Sequence, residues 1–179
     1  MGIVGRGGTL KAGAEGSALD ESGGCGTADV SGAVTVVAVT DRDDVALAAV
    51  TARGTLQVTA GGAITDSGVI ANDGQTATLK AGANAITLEQ SSEFGTLDVD
   101  GAVTNLAVTD SDDIALAAVT TSGTLQVNAA GAITDSGTIV AGGWTTISNA
   151  GNTVILDQAA NNFSSIGVTG STVSLVDVN

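Results

Sequence analysis

Histidine, proline and tyrosine are absent from this chain of 179 residues, and cysteine and tryptophan occur once each. Without histidine, the usual Ser-His-Asp triads and histidine-ligated metal sites are excluded. A lone cysteine, Cys25, excludes an intrachain disulfide. Aromatic residues are limited to Phe94, Phe163 and Trp144, although a compact globular core normally relies on such side chains. Basic residues number five against 19 acidic ones, and the net charge of −14 would repel nucleic-acid phosphates and anionic membrane surfaces. No apolar run approaches the ~20 residues of a membrane span. The opening MGIVGRGGTLKAG also lacks the apolar stretch of a signal peptide, so an exported protein would need its signal cleaved, placed elsewhere or of another type.

What the chain does contain is repetition. Residues 27–70 and 96–139 align with 33 identities in 44 positions, Thr27 recurring as Thr96 and Asp66 as Asp135, and a long internal period is the mark of a solenoid or array. The match extends upstream, where TLKAGA from Thr9 recurs from Thr78, and downstream, where NTVILDQAANNF from Asn152 echoes NAITLEQSSEF from Asn84 with one residue inserted. Units of approximately 7–75, 76–144 and a partial 145–179 then fill a single domain, 1–179. This alignment also puts Cys25, Phe94 and Phe163 in one column, which predicts a buried apolar stack.

A shorter mark recurs within each unit, an apolar or Thr residue followed by an acid at Asp20, Asp41, Asp66, Glu89, Asp110, Asp135, Asp157 and Asp177. It predicts one acid per coil, three coils per 69-residue unit and about eight coils in all. Stretches such as Thr55-Leu56-Gln57-Val58 and Thr124-Leu125-Gln126-Val127 alternate polar and apolar with the period of a strand. DVALAAV and DIALAAV are helix-tolerant by propensity but read better as buried strands. Gly, Asn, Asp and Ser punctuate these runs and supply the corners. The reading is all-β, a parallel β-helix or β-solenoid with one thin layer repeated; a sandwich of hairpins is the all-β alternative. At the ~4.8 Å spacing of strands, eight coils make a rod on the order of 40 Å long. The strand edges at Thr9, Leu10, Val173, Leu175 and Val176 are expected to template pairing with another copy, giving a head-to-tail homo-oligomer or filament.

VTDSDDIALAAVTTSGTLQVNAAGAITDSG and NTVILDQAANNFSSIGVTGSTVSLVD resemble the degenerate repeats of large filamentous-haemagglutinin-like exoproteins and autotransporter adhesins of bacteria. The resemblance covers about Thr9 to Asp177. It implies a right-handed parallel β-helix, an extracellular or cell-surface location, and a role in cell adhesion or as a spacer, with carbohydrate or a host surface as the partner in the adhesive case.

Four kinds of chemistry can be set against the residues. Asp41, Asp43 and Asp44, with their copies Asp110, Asp112 and Asp113, are the candidate calcium ligands, because hard cations gather several oxygens from one loop; capping of corner N–H groups is the structural alternative. No other cofactor is expected. An acid ladder along the rod could also face carbohydrate. Glycoside hydrolysis needs two distinguished carboxylates, and a repeated ladder offers none, so the chain reads as non-catalytic. Thr columns such as Thr40/Thr109 suggest an ice-binding face, which the uneven spacing of the acidic marks argues against. The sequence therefore predicts a structural shaft or fibre-forming subunit, with a carbohydrate- or calcium-binding module as the alternative.

Overall fold

The structure of the chain, a computed structural model, describes residues 2–3, 8–11, 17–21, 26–149 and 151–179, with side chains from residue 26 onward apart from 31–33. No helix occurs among them, and the strands pair in parallel in two sheets, one of ten strands and one of twelve. This is the all-β solenoid that the sequence predicts. We call the ten-stranded sheet A and the twelve-stranded sheet B. The chain alternates between them, A to B and back, once per turn.

Each turn is shorter than the acidic marks imply. In sheet A, Val37 pairs with Leu56, Leu56 with Ala77, Ala77 with Leu97 and Leu97 with Leu116, each step being one turn of the chain. In sheet B, seven such steps carry Gly26 through Val45, Ile64, Ile86, Leu106, Leu125 and Thr145 to Ile166, and Gly8 pairs with Gly26 before them. Three whole turns therefore take Val37 to Leu97, and the sequence copy of Val37, Leu106, lies half a turn beyond, on the other sheet. The 69-residue unit spans three and a half coils rather than the expected three. Seven strand-plus-corner segments make one unit, and an odd number hands each copy to the opposite face. Val37–Asp41 and Leu56–Ala60 are in sheet A while their copies Leu106–Asp110 and Leu125–Ala129 are in sheet B; Ile64–Asp66 and Ile133–Asp135 exchange the other way.

The alternation read from the sequence is the burial pattern observed. Leu56–Ala60 and Leu125–Ala129 bury Leu, Val and Ala and expose Gln57 and Gln126. Val45–Ala52 is a strand, and its copy forms strands Ile114–Leu116 and Val119–Thr121, so both DxALAAV stretches are extended. Leu, Val, Ile and Ala rows from both sheets merge into one core. Stacking at this spacing brings corners close, and glycine is required where they touch. A Cβ on Gly68 or on its copy Gly137 would stand 1.6 or 2.3 Å from the carbonyl oxygen of Ala48 or Ala117 in the preceding coil, which is why the ITDSG string recurs intact.

Phe94 and Phe163 are buried as expected but do not stack. Phe94 follows the sheet B strand Ile86–Ser92 on the way to sheet A, whereas Phe163 lies at the start of the sheet B strand Asn162–Thr169, paired with Ala141, after the chain has left the sheet A strand Thr153–Leu156. The half-turn offset of the repeat sends them to opposite edges. Their predicted companion, Cys25, falls outside the described residues.

Several polar side chains are buried among the described residues, and two of them, Asn72 and Thr145, hold side-chain atoms without a hydrogen-bond partner. Asn72 is fully buried and neither its amide nitrogen nor its oxygen has a hydrogen-bond partner, while its copy in the next unit, Ala141, is buried and apolar. A buried amide without partners costs about 1–3 kcal/mol, part of which the small cavity left by truncation takes back. We expect Asn72→Ala to stabilise the fold by about 1 kcal/mol, read as a higher urea midpoint at unchanged m-value. A lower midpoint would show that the amide is satisfied in solution.

Candidate functional site

Polar chemistry concentrates at the corners, where the strand ladder stops and buried N–H groups need other acceptors. Asp41 and Asp110 are the buried acids of the two candidate calcium loops. Asp41 accepts the N–H of Asp43 at 2.8 Å, and Asp110 accepts those of Asp112 at 2.9 Å and Phe94 at 2.8 Å. Asp44 and Asp113 reach forward one coil and accept the N–H groups of Ala63 and Ala132 at 2.7 and 2.6 Å. Four of the six acids thus cap backbone donors, as Asp does at tight turns. Because Asp41 ends a sheet A strand and Asp110 a sheet B strand, the two loops lie on opposite edges of the rod. Among the described residues, no three His, Cys, Asp or Glu side chains converge where they could hold a metal ion.

The same offset divides the expected acid ladder. Asp66 and Asp110 end sheet B strands and Glu89 lies in another, whereas Asp20, Asp41 and Asp135 belong to sheet A strands, and Asp157 and Asp177 follow the sheet A strands that end at Leu156 and Leu175. A single face of acids is therefore absent among the described residues. The acids instead act in pairs of coils. Asp66 accepts the N–H groups of Glu89 and Gln90 with its two oxygens, at 3.0 and 3.1 Å; its copy Asp135 grips those of Asp157 and Gln158 at 3.0 and 3.2 Å. Asp177 caps the N–H of Phe163 as Asp110 caps that of Phe94. Capping of corner N–H groups was legible in the sequence as a task for these acids; which donors they serve was not, where the donor lies in the next coil, as for Asp66 and Asp135.

The predicted association edges belong to strands that end their sheets among the described residues. Thr9 and Leu10 belong to the strand Gly8–Lys11 at one end of sheet B; Val173 and Leu175 belong to Thr172–Leu175 at the far end of sheet A. Val173, Leu175 and Val176 are exposed.

Two further features escape the sequence reading. An open groove of about 340 Å³ is bounded by Ser91, Thr109, Asp110, Asn128, Ala129, Ala130 and Ser148, where Thr109, Asn128 and Ser148 stack in register on sheet B. Farther along the same strand as Ser148 stands Trp144, 57% exposed, its indole N–H donating to the Thr146 hydroxyl at 3.0 Å. Scarcity alone distinguishes Trp144 in the sequence; the informative signal is its departure from its own repeat.

Two stretches of the chain, 31–101 and 103–170, match the family described as repeats of unknown function (DUF5649). The chain belongs to that family. Its two matched units correspond to the duplication seen in the sequence. No curated protein and no solved structure matches the chain.

Two corner acids of this DUF5649 chain carry perturbed carboxyls. Burial raises Asp110 from its ordinary 3.8 to about 7, against the hydrogen bonds from Asp112 and Phe94, and the neighbouring Asp112 carboxylate adds to the rise. Burial likewise raises Asp66, opposed by the bonds from Glu89 and Gln90. For Asp110 the folded value lies above the unfolded one, so folding favours the protonated form. Its contribution to stability is complete below about pH 3.8 and is lost as pH rises through about 7. We expect the melting temperature to fall between pH 4 and pH 8, and the fall to be shallower in Asp110→Asn, which keeps a carbonyl acceptor but cannot ionise. Parallel curves for the two proteins would show that Asp110 titrates normally.

Proposed function

We propose that the chain is a non-catalytic structural solenoid, a shaft or fibre-forming segment of a bacterial cell-surface or secreted protein. The observation that carries this reading is continuity. Among the described residues each coil pairs in parallel with the next, the apolar rows continue from coil to coil, and the corner acids Asp44, Asp66, Asp110, Asp113, Asp135 and Asp177 bind one coil to its neighbour. A uniform rod is well suited to holding something at a distance, and it adds length without changing cross-section. The repeats' likeness to those of filamentous-haemagglutinin-like exoproteins and autotransporter adhesins supports the location and the adhesive context. The strand edges at Thr9–Leu10 and at Val173–Val176 are suited to accept a further coil, whether of the same polypeptide or of another copy.

Length is the property to test. Inserting a second copy of residues 27–95 after Gly95 joins the inserted end to Thr96, the natural follower of Gly95, and adds three and a half coils. Negative-stain electron microscopy is expected to show a rod about 17 Å longer at constant width. A particle that widens or becomes irregular would overturn the shaft. The same grids, prepared with and without millimolar calcium and at pH values down to the sequence pI of 4.1, test end-to-end association: weakening the repulsion of a chain of net charge −14 should lengthen the rods into filaments. Light scattering that stays flat across both titrations would remove charge as the control.

A further inference from the structure

The duplicated sequence contains its own control, because a position that departs from its copies has no architectural need for the residue found there. Two such departures meet at one place. Thr76 opens a sheet A strand in which Ala77 pairs with Leu56; at the same register on sheet B, Thr145 pairs with Leu125, and the residue before it is Trp144. Trp144 thus replaces a threonine. The strings TADV from Thr27 and TLDV from Thr96 recur as SIGV from Ser165, so Gly167 replaces the aspartate present twice before, at Asp29 and Asp98. In sheet A, Asp98 pairs with Thr78; in sheet B, Gly167 pairs with Thr146, the residue that holds the indole.

These changes together build a flat aromatic platform. The hydrogen bond to Thr146 fixes the ring, and a Cβ at Gly167 would already lie 3.4 Å from Cζ2 of Trp144. Atoms beyond a Cβ, such as the carboxylate of an aspartate, would contend for the space that the indole occupies. The ring therefore lies along the strand toward Thr146 and close to Gly167, with more than half of the side chain open to solvent. The surrounding outward residues Thr146, Ser148, Gln126, Asn128 and Ser165 are hydroxyls and amides without charge. Ser148 and Asn128 continue into the groove beyond, about 13 Å along the strand from Trp144.

We propose that this face of sheet B binds a neutral oligosaccharide, with one sugar ring stacked on Trp144 and its neighbours hydrogen-bonded along Thr146, Gln126, Asn128 and Ser148. The C–H bonds on one face of a pyranose carry partial positive charge and meet the negative face of the indole. The equatorial hydroxyls then reach the flanking amides and hydroxyls, which can both donate and accept. A platform already held in place loses little side-chain freedom on binding. The charge of the chain, −14, repels uronates and sialosides, so the ligand is uncharged. This inference is independent of the shaft reading, since a spacer needs no platform.

Trp144 is the sole tryptophan, so intrinsic fluorescence reports on this site alone. Cellohexaose, chitohexaose and maltohexaose would be titrated to about 10 mM, the range of a weak single-platform contact, with a hexagalacturonate as the anionic control. We expect saturable emission shifts with at least one neutral hexasaccharide and none with the uronate. Gly167→Asp restores the residue of the earlier units and keeps the reporter; affinity should fall about tenfold or more, as when a central aromatic contact is lost. The double variant Trp144→Thr, Gly167→Asp, checked for fold by circular dichroism, should show no binding by calorimetry. Absence of a response to all three neutral sugars, or equal binding by Gly167→Asp, overturns the proposal. So does an emission shift that follows protein concentration alone, which would assign the platform to a second copy of the chain.

Discussion

Every corner of a solenoid presents backbone N–H groups that the parallel ladder cannot satisfy, and the rest of this molecule depends on how they are met. At many of them the acceptor is a carboxylate, reaching forward one coil in Asp44, Asp113, Asp66 and Asp135 and back in Asp110 and Asp177; at others it is an amide or hydroxyl oxygen, as in Asn105, Asn161 and Ser92. Each such bond does two things. It satisfies a donor that the ladder leaves over, a buried one at Phe94 whose loss would cost about 1–3 kcal/mol, and it ties one coil to the next. The acidic composition then has a structural origin. Donors at corners call for acceptors, and no cation is required for a carboxylate that receives N–H bonds. Net negative charge follows as a consequence, and it sets the kind of partner the outer surface can take.

The half-turn offset between sequence repeats is the second organising fact. The period of the repeat fixes which residues are equivalent in environment, but not through what angle the chain has turned between them. Strand alternation at Leu56–Ala60 and Leu125–Ala129 was legible because inward and outward side chains differ in polarity locally. The angular step was not, because the acid that marks a corner at Asp41 on one edge marks a corner at Asp110 on the other, and residues alone do not say which edge is which. Corners without an acid, such as Ala60-Gly61-Gly62-Ala63 and Ala129-Ala130-Gly131-Ala132, leave no mark to count. Three apparent coils thus stand for three and a half, and the predicted Phe column and acid ladder each divide between two edges. Equivalence along the chain became adjacency in space only for residues one turn apart.

A structure that repeats by half-turns also has two faces with nearly the same sequence, and selection on one face is visible against the other. Some differences between units are conservative, such as Val45 for Ile114 or Val37 for Leu106, and others change charge or polarity, such as Arg42 for Ser111 or Val36 for Asn105. Asn72 for Ala141 is of another kind, because a buried amide without partners is destabilising and the second unit shows that the fold does without it. Trp144 for Thr76 and Gly167 for Asp98 are of a third kind. The first exposes the largest apolar side chain in the sequence to water, which folding does not reward. The second gives up a strand side chain for a residue that weakens strands.

Neither change is explained by stability alone, and each makes sense only beside the other: the indole occupies the space that a side chain at 167 would use. Two locally unfavourable choices that fit together in space are what a surface shaped for contact produces, whereas drift would scatter them among unrelated positions. This face of sheet B thereby acquires what the equivalent position of the earlier unit lacks, an exposed aromatic side chain. A solenoid built from copies can specialise in this way while keeping its strand register, because Thr145 and Ile147 still point inward while Trp144 and Thr146 face outward, at the cost of one buried hydroxyl without a partner, that of Thr145, where the earlier unit has Ala77.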